Sequence, residues 1–92
     1  MISKFDDRGN EIMSSYYGTD GELVITKRGF AEVKAEYDDR DNMIKTSCFG
    51  PDGKLVLNNY GYAVRTFEYD DEGNQIEINY FGIDGEPINI DD

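Results

Sequence analysis

The sequence is 92 residues long, which is enough for one small domain, and its 20 acidic and 9 basic residues give a formal net charge of −11. A field of this sign repels nucleic acid and anionic membranes and attracts cations and basic protein surfaces. No apolar run approaches the ~20 residues that span a bilayer, and the single cysteine, Cys48, cannot form an internal disulfide. These properties argue against direct nucleic-acid binding, membrane insertion and a disulfide framework.

A 32-residue unit recurs almost three times along the chain. The phrases FDDRGNEI, YDDRDNMI and YDDEGNQI open with an aromatic residue at equal spacing: Phe5, Tyr37 and Tyr69. A second aromatic residue lies twelve positions after each of these and precedes GTDGE, GPDGK or GIDGE: Tyr17, Phe49 and Phe81. The spacing contains no insertion or deletion. The sequence therefore predicts a single repeat domain, 1–92, with copies at approximately 1–28, 29–60 and 61–92.

Each copy begins with the pattern of a strand followed by a tight turn. In the second copy, Val33, Ala35 and Tyr37 alternate with charged residues, which is the period of a half-buried strand. The turn 38–42 follows, and its fourth position suits a residue at positive φ. That position is occupied in the three copies by Gly9, Asp41 and Gly73. The pattern is typical of a three-residue hairpin loop closed by a bulge.

The rest of each copy predicts two more strands and two more turns. In the second copy, a strand over 44–49 leads to a type I turn at 50–53, since proline takes the second turn position and glycine the fourth. A short strand at 55–57 precedes another turn at 58–61, and no stretch has a helical period. We therefore expect an all-β, tandem-repeat antiparallel meander of about eight strands, either solenoid-like or as an open sheet of stacked hairpins. The apolar faces of such a sheet would need a cover, from neighbouring copies or from a second chain.

The two recurring phrases resemble known bacterial repeats. Y-D-x-x-G-N-x-I, at 5–12, 37–44 and 69–76, resembles the YD-type repeats of large cell-surface and toxin-delivery proteins. Y/F-x-x-D-G, at 17–21, 49–53 and 81–85, is similar to the wall-binding repeats of surface proteins and clostridial toxins. The resemblance implies arrays of β-hairpins at a bacterial surface, and it assigns no binding residue. The 32-residue unit is longer than usual for YD repeats, and the tryptophan on which wall-binding repeats rely is absent.

No enzymatic site or cofactor is predicted. Histidine, the commonest general base, is absent. Cys48 lies on a strand at a position where the other copies have tyrosine, so we expect a packed thiol.

The repeated Asp-Asp pairs at the turns admit two interpretations. Their oxygens could contribute to a calcium site, or they could bond their own turn backbone. The second is the simpler explanation, and no metal ligand is assigned.

Aromatic side chains are the best candidates for binding a partner. Five are singled out: Tyr60, Tyr62, Tyr17, Phe49 and Phe81. Most of the aromatic residues are expected in the core, and Tyr60 and Tyr62 are expected to be the most exposed because they flank a turn.

The leading interpretation is a non-enzymatic binding or spacer module, a segment of a larger bacterial surface protein with a protein or glycan as partner. The alternative is a small acidic inhibitor that mimics nucleic acid and occupies a basic groove of a partner protein. The first predicts a cell-surface or secreted location and the second a cytoplasmic one, and residues 1–7 do not read as a signal peptide. Homodimers, or association through open sheet edges, are also expected.

Overall fold

The computed structural model describes residues 2–88, and this part of the chain consists of seven β-strands without any helix. The strands are β1 (Ile2–Phe5), β2 (Glu11–Ser15), β3 (Glu32–Tyr37), β4 (Met43–Phe49), β5 (Val64–Tyr69), β6 (Gln75–Phe81) and β7 (Pro87–Ile88). They form one antiparallel sheet in which each strand pairs with its neighbours in sequence. The predicted all-β meander is confirmed, as one open sheet of successive hairpins. Across 2–88, nothing has the length and apolar character of a membrane-crossing helix.

The sheet has seven strands where about eight were expected, because the short third strand of each copy is reduced. The segment predicted as strand 55–57 makes a single bridge between Phe49 and Leu55, and Tyr17 and Leu23 form the matching bridge in the first copy. The next turn begins at once, at Asn58, and ends the pairing. Only β7 of the third copy pairs over two residues. It is the last of the described strands in the sheet order, and edge strands are where proline is tolerated.

Eight five-residue turns share one hydrogen-bonding scheme. In each, the first N–H donates to the fifth carbonyl and the fourth N–H donates to the first carbonyl, as at 6–10, 18–22, 26–30, 38–42, 50–54, 58–62, 70–74 and 82–86. The fourth residue always has positive φ: it is glycine in seven turns and Asp41, at φ 66°, in the eighth. Register shifts next to the turns 6–10, 38–42 and 70–74 mark the predicted bulges.

Successive hairpins are joined by side-chain contacts that recur at the repeat spacing. The hydroxyl of Tyr37 donates to the Glu11 carbonyl at 3.0 Å. The hydroxyl of Tyr69 makes the equivalent bond to the Met43 carbonyl at 2.6 Å. At the turns, a guanidinium reaches the backbone of the next hairpin: Arg8 bonds the Asp39 carbonyl, and Arg40 bonds the Asp71 carbonyl. Each copy is therefore fixed to the next by a tyrosine and an arginine.

The core lies at one end of the strands, where the segments 26–31 and 58–63 fold back onto one face of the sheet. Its apolar buried residues are Phe30, Ala31, Cys48, Tyr62 and Ala63. Elsewhere the described part of the sheet has a single layer. Ile76 on β6 is 64% exposed, and residues 75–79 are all exposed. The expected cover over the apolar face is therefore partial, and it is supplied by loops of the chain itself.

Candidate functional site

The first aspartate of each hairpin turn accepts hydrogen bonds from the backbone of its own turn. Asp38 Oδ1 accepts bonds from the N–H groups of Arg40 and Asn42, both at 2.9 Å. The backbone N–H of Asn42 is the main reason why the pKa of Asp38 lies below its usual range. Asp6 and Asp70 occupy the same position with the same direction of shift. Within residues 2–88 no group of three or more metal-ligating side chains assembles, so the turns show the self-bonded arrangement.

The five aromatic residues singled out in the sequence lie on two faces of the sheet. Cys48 and Phe49 are consecutive in β4, so their side chains point to opposite faces. The face that bears Cys48 also bears Tyr62 and Tyr60, and we call it the cleft face. Phe49 lies on the other face with the Lys34 ammonium 5.0 Å from its ring centre. The residues at the equivalent strand ends, Tyr17 and Phe81, do not join Tyr60 and Tyr62 in one site.

Tyr60 and Tyr62 differ in exposure, which corrects the expectation that both would be open to solvent. Tyr60 is 72% exposed, whereas Tyr62 is only 7% exposed. The Tyr62 ring packs against Tyr80 of β6 with 4.9 Å between ring centres, and it stacks near-parallel to Tyr60 at 6.4 Å. Tyr62 is buried because the turn 58–62 folds back over the sheet. Tyr60 lies at the tip of that turn and keeps its ring in solvent.

A cleft of about 320 Å³ lies beneath these tyrosines, and we call it the Arg–Tyr cleft. Its floor is formed by side chains from the three central strands: Val33, Thr46, Cys48 and Arg65. Its walls come from the two turns that fold over the sheet: Arg28, Phe30, Asn58, Tyr60 and Tyr62. The two turns are joined across copies, because the Asn59 N–H donates to the Arg28 carbonyl at 2.9 Å. The walls are thus held at a fixed separation.

Arginine provides the charge of the Arg–Tyr cleft. The Arg65 guanidinium lies 4.8 Å from the Phe67 ring centre and 5.6 Å from that of Tyr62. Its Nε is buried and has no hydrogen-bond partner among residues 2–88. In the same part of the chain neither Arg28 nor Arg65 forms an ion pair, and none of the described lining residues is acidic. In a chain with a net charge of −11, this cleft is a local basic site.

The cleft has room because Cys48 replaces a tyrosine. In the first copy the equivalent residue, Tyr16, packs edge-on against Phe30 with 6.1 Å between ring centres. Cys48 is smaller and leaves the space between Phe30 and Tyr62 open. The thiol is buried and Asn58 Nδ2 donates to it at 3.7 Å. Burial raises the pKa of the Cys48 thiol, and the Asn58 bond and the Arg65 charge oppose that rise. This is the packed thiol that the sequence predicted.

Sequence reasoning did not identify Arg28, Asn58 or Arg65 as site residues. The available signal was departure from the repeat. Arg65 stands where the second copy has Val33, and Cys48 stands where the other copies have tyrosine. Both departures fall in the middle of the chain and line one cleft.

No protein-family model, curated protein or solved structure matches this chain.

Proposed function

We propose that the protein is a non-enzymatic binding module, a segment of a larger bacterial surface protein that uses the Arg–Tyr cleft to hold a surface ligand. The observation that carries this proposal is the cleft itself. It combines the half-buried Arg65, whose Nε is buried, with an exposed tyrosine in a chain whose net charge is −11. Concave sites with apolar walls and a few converging polar groups are the usual form of ligand sites.

The walls of the cleft are pre-organised, which supports a binding role. Asn58 Oδ1 accepts bonds from the Tyr60 and Tyr62 N–H groups at 2.9 and 3.4 Å, so both tyrosines are set by one side chain. The floor belongs to paired strands in the middle of the sheet. A site that is ordered before binding loses little conformational entropy when its ligand arrives.

The surface location rests on the resemblance of the two repeated phrases to YD-type and wall-binding repeats. The contacts between hairpins add physical support for a spacer role. Each hairpin is fixed to the next by the same tyrosine and arginine bonds, so copies can be added in line with the same geometry. Such an array holds the cleft at a fixed position along a rigid unit.

The test is retention of bacterial wall polysaccharide and surface proteins on the immobilised protein at low and high salt. We expect retention that persists at high salt, because the contacts are short-range. Cys48→Tyr is the matched variant, since tyrosine already occupies both equivalent positions, Tyr16 and Tyr80. It should fold, fill the cleft and abolish retention. Equal retention by the variant would show that the cleft is not the site.

The alternative, an inhibitor that mimics nucleic acid, is favoured by a different feature. The turns 6–10, 38–42 and 70–74 lie at the same end of the strands and carry eight acidic and two basic side chains. This row of turns would attract a basic groove, and the attraction would fall steeply as salt rises. Retention of a basic nucleic-acid-handling protein at low salt only, unchanged in Cys48→Tyr, would therefore support the inhibitor and contradict the surface module.

A further inference from the structure

We infer that the Arg–Tyr cleft binds a glycan that ends in an acidic sugar, with the carboxylate on Arg65 and the sugar ring on Tyr60. This inference rests on the proposed function and specifies its ligand class. It follows from three features of the cleft: the unused donors of Arg65, the open ring of Tyr60 and the position of the cleft in the sheet.

The first feature is the way in which Arg65 is held. Phe67 and Tyr62 lie near its guanidinium at 4.8 and 5.6 Å, within the range of cation–π contact. Such contacts involve the face of the guanidinium, whereas its donors lie in its plane. The Nε atom has no partner among the described residues, and it is buried, so a ligand does not reach it; the two terminal nitrogens are not among the buried unpartnered atoms. These terminal nitrogens form no ion pair within residues 2–88. A carboxylate in the cleft can pair with them, and a charge-assisted, bidentate pair is the strongest form of such a contact.

The second feature is the tyrosine at the rim. Tyr60 has most of its ring open to solvent, and Tyr62 stacks beside it. The C–H groups of a sugar ring pack on an aromatic face, which carries the negative end of the ring quadrupole. A volume of about 320 Å³ lies at the lower end for small-molecule sites, which fits one or two sugar rings.

The third feature favours a glycan over an acidic peptide that would bind by adding a strand to the sheet. Extended peptides gain affinity by pairing their backbone with an open strand edge. The floor of the cleft lies on β3, β4 and β5, which are paired on both sides, so no free backbone edge is offered. A ring with one carboxylate needs no such edge.

The ligand should carry a single carboxylate. The 20 acidic residues of the chain repel a polyanion as a whole, whereas one carboxylate gains its contact with Arg65 at a small long-range cost. A terminal uronic acid satisfies this condition, and a polyuronate does not.

The experiment is titration of the folded protein, followed by amide NMR shifts, with a disaccharide that ends in glucuronic acid and with its glucose-ended analogue. A polygalacturonate and an acidic tetrapeptide complete the set. We expect the acid-ended disaccharide to bind at least about 10-fold more tightly than the neutral one, the range of a charge-assisted hydrogen bond. Arg65→Met keeps the apolar stem and should remove that preference. Cys48→Tyr should remove binding altogether. Lys54→Gln removes an exposed charge outside the cleft and should change nothing.

Equal affinity for the two disaccharides would overturn the assignment of an acidic ligand, but it would not contradict the proposed function as a binding module. Tighter binding of the tetrapeptide or of polygalacturonate would overturn the glycan class or the single-acid condition. If neither disaccharide binds to protein that melts cooperatively, the inference fails. Wall retention that is abolished by Cys48→Tyr would then still support the proposed function, whereas loss of both results would end both proposals.

Discussion

Gly29 offers a sharp test of whether the copies stack as one structure. It has φ +96°, and a Cβ added there would lie 2.8 Å from Asn59 Oδ1, 3.0 Å from the Asn59 nitrogen and 3.1 Å from the Asn58 Cα. Two of these atoms belong to the backbone of the turn 58–62, which is equivalent to the turn 26–30 that contains Gly29, and they cannot rotate away. Gly21 is the matched control, because it has φ +83° and an added Cβ would meet nothing within 4 Å.

Gly21→Ala should therefore show the backbone cost alone, about 1–2 kcal/mol for an alanine at positive φ. Gly29→Ala should add a clash of about 1–3 kcal/mol and weaken the bond from the Asn59 N–H to the Arg28 carbonyl, which is worth about 1 kcal/mol. The difference between the variants should be about 1–4 kcal/mol. In a domain of this size it corresponds to a difference in melting temperature on the order of 10 °C.

The measurement is equilibrium unfolding in urea, followed by circular dichroism, with the m-value checked for two-state behaviour. If both variants lose the same free energy of unfolding to within about 0.5 kcal/mol, the turns 26–30 and 58–62 do not press on each other. The walls of the Arg–Tyr cleft would then not be held at a fixed separation, and the site would not be pre-organised.

Three further perturbations test other contacts. Tyr69→Phe removes the hydroxyl bond to the Met43 carbonyl and should cost about 1 kcal/mol in urea unfolding; no loss would show that this bond does not couple the hairpins. Glu77→Lys should raise the melting temperature, because Glu68 and Glu77 face each other across β5 and β6 and a hydrogen bond between them raises the pKa of Glu68; a lower melting temperature would contradict this pairing. Since the pKa of Asp38 is lowered in the folded state, its stabilising effect is present above its ordinary pKa and is lost as pH falls below about 4. Between pH 5 and pH 2, roughly, the free energy of unfolding should therefore fall less in Asp38→Asn than in Asp39→Asn. Equal pH profiles of the two variants would show that the Asp38 carboxylate does not stabilise its turn.

The turns and the hairpin order could be predicted from the sequence because their causes are local. Glycine or aspartate at the fourth turn position reports positive φ directly, and all three predicted positions have it. Alternating polarity located β3 and β4 to within a residue or two. The segment 55–57 was overestimated as a strand because the pairing length depends on where the next turn begins. The burial of Tyr62 depends on the turn 58–62 folding over β6, and no local sequence pattern reports this contact between segments that are distant along the chain.

The departures from the repeat fall into two groups. Phe5 and Glu72 form the first group, and they lack the hydroxyl and the guanidinium with which Tyr37 and Arg40 bond a neighbouring hairpin.

Cys48 and Arg65 form the second group and lie in the central strands β4 and β5. A tyrosine at position 48 would pack as Tyr16 does, and a valine at position 65 would bury no unpaired donor as Arg65 does. Each departure costs packing or desolvation, and together they open one basic cleft in an acidic protein. Sites that depart from local stability rules are where function is expected, so these two residues, which the repeat pattern alone treats as exceptions, carry the argument for binding.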